Sequence, residues 1–185
     1  LKEAIVLGRQ AYWVCPLVEE SEFMDLTAAE ERFKVLRAAF GDSNVGLVHG
    51  QLPTAEKDAA MAAFAAGETQ VLVATTVIEV GVDIPNATIM VIERAENFGL
   101  AQLHQLRGRV GRGEAESTCL LIYQHPLTKS GDRRMALLRE TDDGFRIAEE
   151  DLKMRGAGDV IGTAQSGLPR FKVADLETQT SLMSV

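Results

Sequence analysis

The stretch VLVATTVIEVGVDIPNATIMVI (residues 71–92) holds two apolar runs, VLVA at 71–74 and TIMVI at 88–92, separated by a segment that ends in Pro85, Asn86 and Ala87. Both runs are short and rich in β-branched residues, so both are expected to be strands. Upstream, AYWVCPLV (11–18) is aromatic and β-branched and reads as a buried strand, and VGLV (45–48) as a short one. Downstream, TCLLIY (118–123) is the last. Helical patterns alternate with these strands. Thr27 with Glu30 forms a capping-box pattern, followed by Phe33, Leu36 and Phe40 at helical spacing. Thr54 is expected to cap the next helix and Gly67 to end it. A further helix is expected over 100–110. The alternation predicts an α/β fold, a parallel sheet with helices on both faces. Ligands of such sheets bind beyond the carboxyl ends of the strands, where His49, Thr75, Thr76 and Glu93 fall.

After HPLTKSG (125–131) the pattern changes. Helical stretches at about 132–141 and 144–155, joined by TDDG, read as an αα-hairpin. RGAGDVIGTAQSG (155–167) reads as an ordered loop, with Val160 and Ile161 to bury.

At 185 residues the chain suits one domain with an appendage. No apolar run approaches the ~18 residues of a membrane helix. No signal peptide is legible, and a start at Leu1 suggests a piece of a longer protein. Cys15 and Cys119 sit inside apolar runs and are expected to be buried, reduced thiols, and no CxxC or Cys/His cluster offers a metal site. The net charge of −8 argues against a protein that coats nucleic acid along its whole surface. Its distribution is uneven: residues 1–98 carry 7 basic and 15 acidic side chains, residues 99–172 carry 12 and 10.

The second half opens with QLHQLRGRVGRG (102–113). On a helix, Gln105, Arg109 and Arg112 share one face. Gly108 and Gly111 each cost about 1 kcal/mol there relative to alanine, but they allow close approach of another backbone or a nucleotide. Aligned guanidiniums suit a phosphate chain, though a solvated arginine face is the other reading.

HQLRGRVGR resembles motif VI of the superfamily 2 helicases, VLVATTVIEVGVDIPNA (71–87) resembles their motif V, and LVHGQL (47–52) resembles the segment that meets the nucleic-acid backbone. The resemblance implies a RecA-like lobe of the P-loop NTPase type. It also implies roles by position. Arg109 and Arg112 would reach the γ-phosphate of an ATP held on another lobe, with Arg112 as the arginine finger, and Gln105 would help organise that site. Gly81, Asp83 and Gly108 would lie against the nucleotide. Thr75, Thr76, His49 and Gly50 would bind a DNA phosphate. The residues also allow plainer readings: a surface histidine at 49, helix caps at Thr75 or Thr76, a turn residue at Asp83. No GxxxxGK[ST] and no DExH-type box is present, so ATP and Mg2+ would be held mainly by an N-terminal lobe outside this chain, and the chain alone is expected not to hydrolyse ATP.

DDGFRIAEEDLKMRGAGDVIGTAQSG (142–167) resembles the translocation motif of the RecG and Mfd families, with GTAQSG and the FKVADL that follows favouring the RecG family. Arg134, Arg155 and Gln165 match that motif's residues. Arg134 also reads as one of a basic surface pair with Arg133, and Arg155 as a cation at a helix C-terminus. Ala164 departs from the Arg or Lys common there, leaving Arg170 and Lys172 as alternative DNA contacts. The resemblance implies a lobe over 1–126, a hairpin and translocation loop over 127–168, and a tail over 169–185. It implies the second motor lobe of an ATP-dependent double-strand DNA translocase that remodels branched DNA. The implied protein is cytoplasmic, bacterial and monomeric, with an N-terminal lobe and a wedge domain as partners and no membrane contact. An Mfd-like lobe that acts on RNA polymerase and a non-catalytic scaffold are the alternatives.

Overall fold

A computed structural model describes residues 1–16, 22–75, 84–111 and 116–155, without the side chains of 22–26 and 155. The chain divides into two compact units, Leu1–Ile147 and Ala148–Val185. The first contains α1 (Lys2–Val6), β1 (Gln10–Cys15), α2 (Glu22–Phe40), β2 (Val45–Val48), α3 (Thr54–Ala65), β3 (Val71–Thr75), β4 (Ala87–Ile92), α4 (Leu100–Arg107), β5 (Thr118–Leu121), α5 (Lys129–Glu140) and the start of α6 (Gly144–Arg155). Of the second, the rest of α6 is described; there Lys153 pairs with Glu149 at 3.0 Å and Glu150 at 3.1 Å along one helix face.

The five strands form one parallel sheet in the order β2-β3-β1-β4-β5, the RecA-like α/β arrangement expected. Every residue of β3 and β4 is buried, which is why their sequences are continuously apolar. On one face, Ala29 and Leu36 of α2 pack over Cys15, Val71 and Val73, and α1 covers Ala11, Ile89 and Val91. On the other, Phe64 of α3 stacks on Tyr12 of β1 with ring centroids 4.9 Å apart. β2 and β5 are the edge strands, and the residues of β5 are only half-buried or exposed. Among the described residues no helix is long and apolar enough to cross a membrane.

Helix boundaries differ from expectation in four places. α2 begins at Glu22, so Thr27 lies inside it and not at its N-terminus; Glu22–Leu26 contains no Gly or Pro and extends the helix upstream. Pro53, preset in extended backbone, is the N-cap of α3, and Thr54 is its first helical residue. α4 stops at Arg107, three residues before the expected end. α5 starts at Lys129 because the Thr128 hydroxyl accepts from Gly131 N–H at 3.0 Å. The translocation loop expected after α6 lies outside the described residues.

Gly67 ends the α3 segment as expected. Its φ is +77°, its N–H donates to the Phe64 carbonyl at 3.1 Å, and Glu68 N–H donates to Ala63 at 2.9 Å, a Schellman pair. A Cβ there would meet nothing within 4 Å, so only the left-handed backbone resists one. Gly67→Ala is therefore expected to lower the unfolding free energy by about 1 kcal/mol, measured by urea denaturation.

Candidate functional site

The carboxyl ends of four strands lie side by side. Register pairs Val48 with Ala74 and Cys15 with Thr75, so His49, Thr75 and Cys15 follow one another across the sheet, with Glu93 just past β4. His49 and Thr75 are buried, and neither His49 Nδ1 nor Thr75 Oγ1 has a hydrogen-bond partner among the described residues. Unmet polar atoms in such a place are costly, and groups that bind an oxyanion would leave this signature. The turn after β2 is fixed by Lys57, whose Nζ donates to the Gly50 carbonyl at 2.7 Å, while Gly50 itself is exposed. Thr76, Gly81 and Asp83 lie outside the described residues.

Burial holds the His49 pKa below its ordinary 6.5; Glu30 and Glu56 pull it upward, Lys57 downward. The folded state therefore favours neutral imidazole, while the unfolded chain binds more protons below that value. His49's contribution to stability is present above pH ~6.5 and lost as the pH falls through the lower folded-state value. His49→Gln is expected to flatten the part of the stability loss that runs from pH 7 to 5, measured by denaturant midpoints across that range.

Glu93 is not an isolated acid. Arg32 Nε lies 2.5 Å from its Oε1, and the Arg32 guanidinium sits 5.5 Å from the Trp13 ring centroid. The Cys15 thiol lies 3.9 Å from Glu93 Oε2, and burial together with that carboxylate pushes its pKa up to about 12. No local sequence signal pairs Arg32 with an acid 61 residues away.

The arginine stretch is not one continuous helix. α4 ends at Arg107, Gly108 is its C-cap, and Arg109 and Val110 donate to Leu106 and Arg107 in shorter i→i+3 turns. Gly111 has φ +79°, and a Cβ there would lie 2.3 Å from Ser117 Oγ. Glycine here is a backbone requirement, and the shared helical face expected for Gln105, Arg109 and Arg112 is broken before Arg109. Gln105 and Gly108 are exposed, Arg109 is half-buried, and Arg112 lies outside the described residues. The exposed Gln105 amide and the Arg109 guanidinium are hydrogen-bond donors, suited to phosphate oxygens and not to a metal ion. Among the described residues no cluster of His, Cys, Asp and Glu is arranged to hold a metal.

Arg107 turns the other way. Its Nη1 donates to the carbonyls of Leu138 at 2.8 Å and Thr141 at 2.9 Å and lies 2.9 Å from Asp142 Oδ1. Its Nη2 is 3.0 Å from His104 Nδ1. On α5, Arg134 donates to the carbonyls of Phe98 and, at 3.1 Å, Glu96. Arg134 is thus half-buried and engaged, not a surface partner of Arg133. The Arg155 side chain and Gln165, expected near it, lie outside the described residues. Between α4, β5 and α5 is a cavity of about 270 Å³ lined by Leu103, Arg107, Cys119, Leu121, Met135 and Leu138. Burial pushes the Cys119 thiol up to about 11, against the opposing charge of Arg107.

Residues 3–114, more than half of the chain, match the family described as helicase conserved C-terminal domain. The chain belongs to that helicase family. Residues 141–185 match a second family, ATP-dependent DNA helicase RecG, domain 3, C-terminal. The lobe is 58% identical over 172 residues to the ATP-dependent DNA helicase RecG of Escherichia coli (strain K12), covering 93% of this chain and 25% of the relative. It is 55% identical over 170 residues to RecG of Bacillus subtilis (strain 168), covering 91% and 25%. It therefore spans about a quarter of the length of these curated relatives. A solved structure of RecG bound to a three-way DNA junction superposes with TM-score 0.72 at 44% identity, over 98% of this chain and 23% of that one. The helicase MrfA bound to DNA shares the fold, with TM-score 0.54 at 18% identity over 76% and 20%.

Proposed function

We propose that this helicase lobe is the second motor lobe of a RecG-type, superfamily 2 double-strand DNA translocase that uses ATP to remodel branched DNA. One observation carries the reading: a single chain matches both the helicase lobe and the RecG C-terminal segment, at 58% identity over 93% of its length. The likeness to a RecG held on a three-way junction supports branched duplex DNA as the substrate. The RecG match over residues 141–185 disfavours the polymerase-displacing alternative.

In this reading residues 1–126 form the lobe, 127–168 the hairpin and translocation loop, and 169–185 a tail. ATP and Mg2+ are held by an N-terminal lobe of the same protein, because the chain has neither GxxxxGK[ST] nor a DExH box. When bound, that metal offsets charge on the β- and γ-phosphates. Arg109 and Arg112 add positive charge from across the cleft, Gln105 orders the site, and Gly81, Asp83 and Gly108 let the nucleotide approach. At the carboxyl edge, Thr75, Thr76, His49 and Gly50 hold a DNA phosphate, contacts that fix position without reading bases. Arg134, Arg155 and Gln165 carry lobe motion into the loop that meets duplex DNA. The full-length protein acts in the cytoplasm on nucleoid DNA as a monomer, with its wedge domain at the branch.

The test is ATP turnover by the full-length protein with no DNA, linear duplex or a forked junction. The fork is expected to stimulate most, and the 185-residue chain alone to show no turnover above buffer. Turnover indifferent to DNA structure would sink the branched-DNA reading.

A further inference from the structure

The two arginines nearest each other in the RGR of motif VI face different tasks. Arg109 lies in the turn beyond α4, whereas Arg107, two residues earlier, points into the protein. The carbonyls of Leu138 and Thr141 belong to the last turn and C-cap of α5, where a helix leaves acceptors unmet and its dipole is negative. The one Nη1 donates to both and lies beside Asp142, while Nη2 meets His104 Nδ1 from the same α4 face. The other end of α4 is held in the opposite sense: Arg134 of α5 donates to the Glu96 and Phe98 carbonyls, in the turn leading to Gly99, the N-cap of α4. Each helix sends one arginine into backbone carbonyls at the other's neighbourhood, and the apolar cavity lies between them. With fixed ends, a displacement of the turn carrying Arg109 reaches α5 through Arg107 without passing through the soft middle.

We propose that Arg107 is a positioning residue that ties the end of α4 to the end of α5, delivering the movement of the phosphate-facing turn to the helical hairpin. It is not a phosphate ligand. This inference rests on the motor-lobe reading given above.

The experiment uses the full-length protein, unsubstituted and with Arg107→Met, Arg107→Lys and Asp142→Asn. ATP turnover on a fork, KM for ATP, forks remodelled per ATP and thermal midpoints are measured. Arg107→Met keeps an apolar stem and loses every donor. It is expected to leave turnover and KM within about 3-fold and to lower forks remodelled per ATP by about 10-fold, within the range that residues along a coupling path carry. Arg107→Lys keeps one donor and the charge at the end of α5 but loses the second nitrogen that meets His104, so it folds and loses about 3-fold in the same ratio. Asp142→Asn changes little, because that side chain is 93% exposed. A raised KM with an unchanged ratio would make Arg107 a nucleotide ligand and overturn the proposal, as would an unchanged ratio in both Arg107 variants. The motor-lobe reading fails separately, if the unsubstituted protein shows no DNA-stimulated turnover.

Discussion

Alanine at Arg112 in the full-length protein is expected to lower ATP turnover by about 1,000-fold, and alanine at Arg109 by at least about 100-fold, with fork binding in the absence of nucleotide unchanged. The reason is charge. A transferring phosphoryl group spreads negative charge over its oxygens, and in the motor-lobe reading these guanidiniums would offset it from the other side of the ATP site. In the motor-lobe reading Arg109 would act from the turn beyond α4, where Gly108 caps the helix and the chain leaves in a tight turn. Lysine should rescue neither position well, since a point charge does not reproduce two parallel N–H donors. Steady-state turnover with fork DNA at saturating ATP measures the effect. Turnover within threefold of the unsubstituted protein would remove Arg112 from the finger role and favour a lobe that kept the fold without the chemistry.

Arg134→Ala should produce a different loss. The side chain donates to two carbonyls in the turn ahead of α4, at Glu96 and Phe98. Its removal leaves them without that charged donor, at a cost of about 1–3 kcal/mol in stability. In the motor reading it also frees α5 from the segment that moves with nucleotide. ATP turnover on a fork is expected to stay within about 3-fold while the rate of fork remodelling falls at least about 10-fold. The two rates are measured on the same preparation with its thermal midpoint. If they fall in proportion, Arg134 serves the fold or the ATP site and not the transmission.

The inner strands β3 and β4 were legible because burial on both faces leaves a continuous apolar run. The β2 bounds, 45–48, agree residue for residue, and the central β3 and β4 differ by one residue. Helix ends were harder. Thr27 and Thr54 carry the right side chain for a cap, but the neighbouring backbone decides: good helix formers run on upstream of Thr27, and Pro53 takes the cap position before Thr54. Gly131 looked like the close of a loop and instead lies inside α5, where Thr128 caps it. At the candidate site, strand ends located His49 and Thr75, since a parallel sheet sets them side by side. The partners of Arg107 and Arg32 were not legible. Leu138 and Thr141 are 31 and 34 residues from Arg107, and backbone carbonyls carry no sequence signature at all.

The two thiols, Cys15 buried and Cys119 half-buried instead of buried as expected, have a practical consequence. Burial raises their pKa values to about 12 and about 11, so both thiols stay protonated and react slowly at pH 7. An exposed cysteine, ionised to a few per cent at that pH, reacts with maleimide faster. Asp132→Cys, on the exposed side of α5, can therefore carry a fluorescent reporter in the otherwise native chain. The helix's excursions could then be watched in single molecules without first removing either natural cysteine.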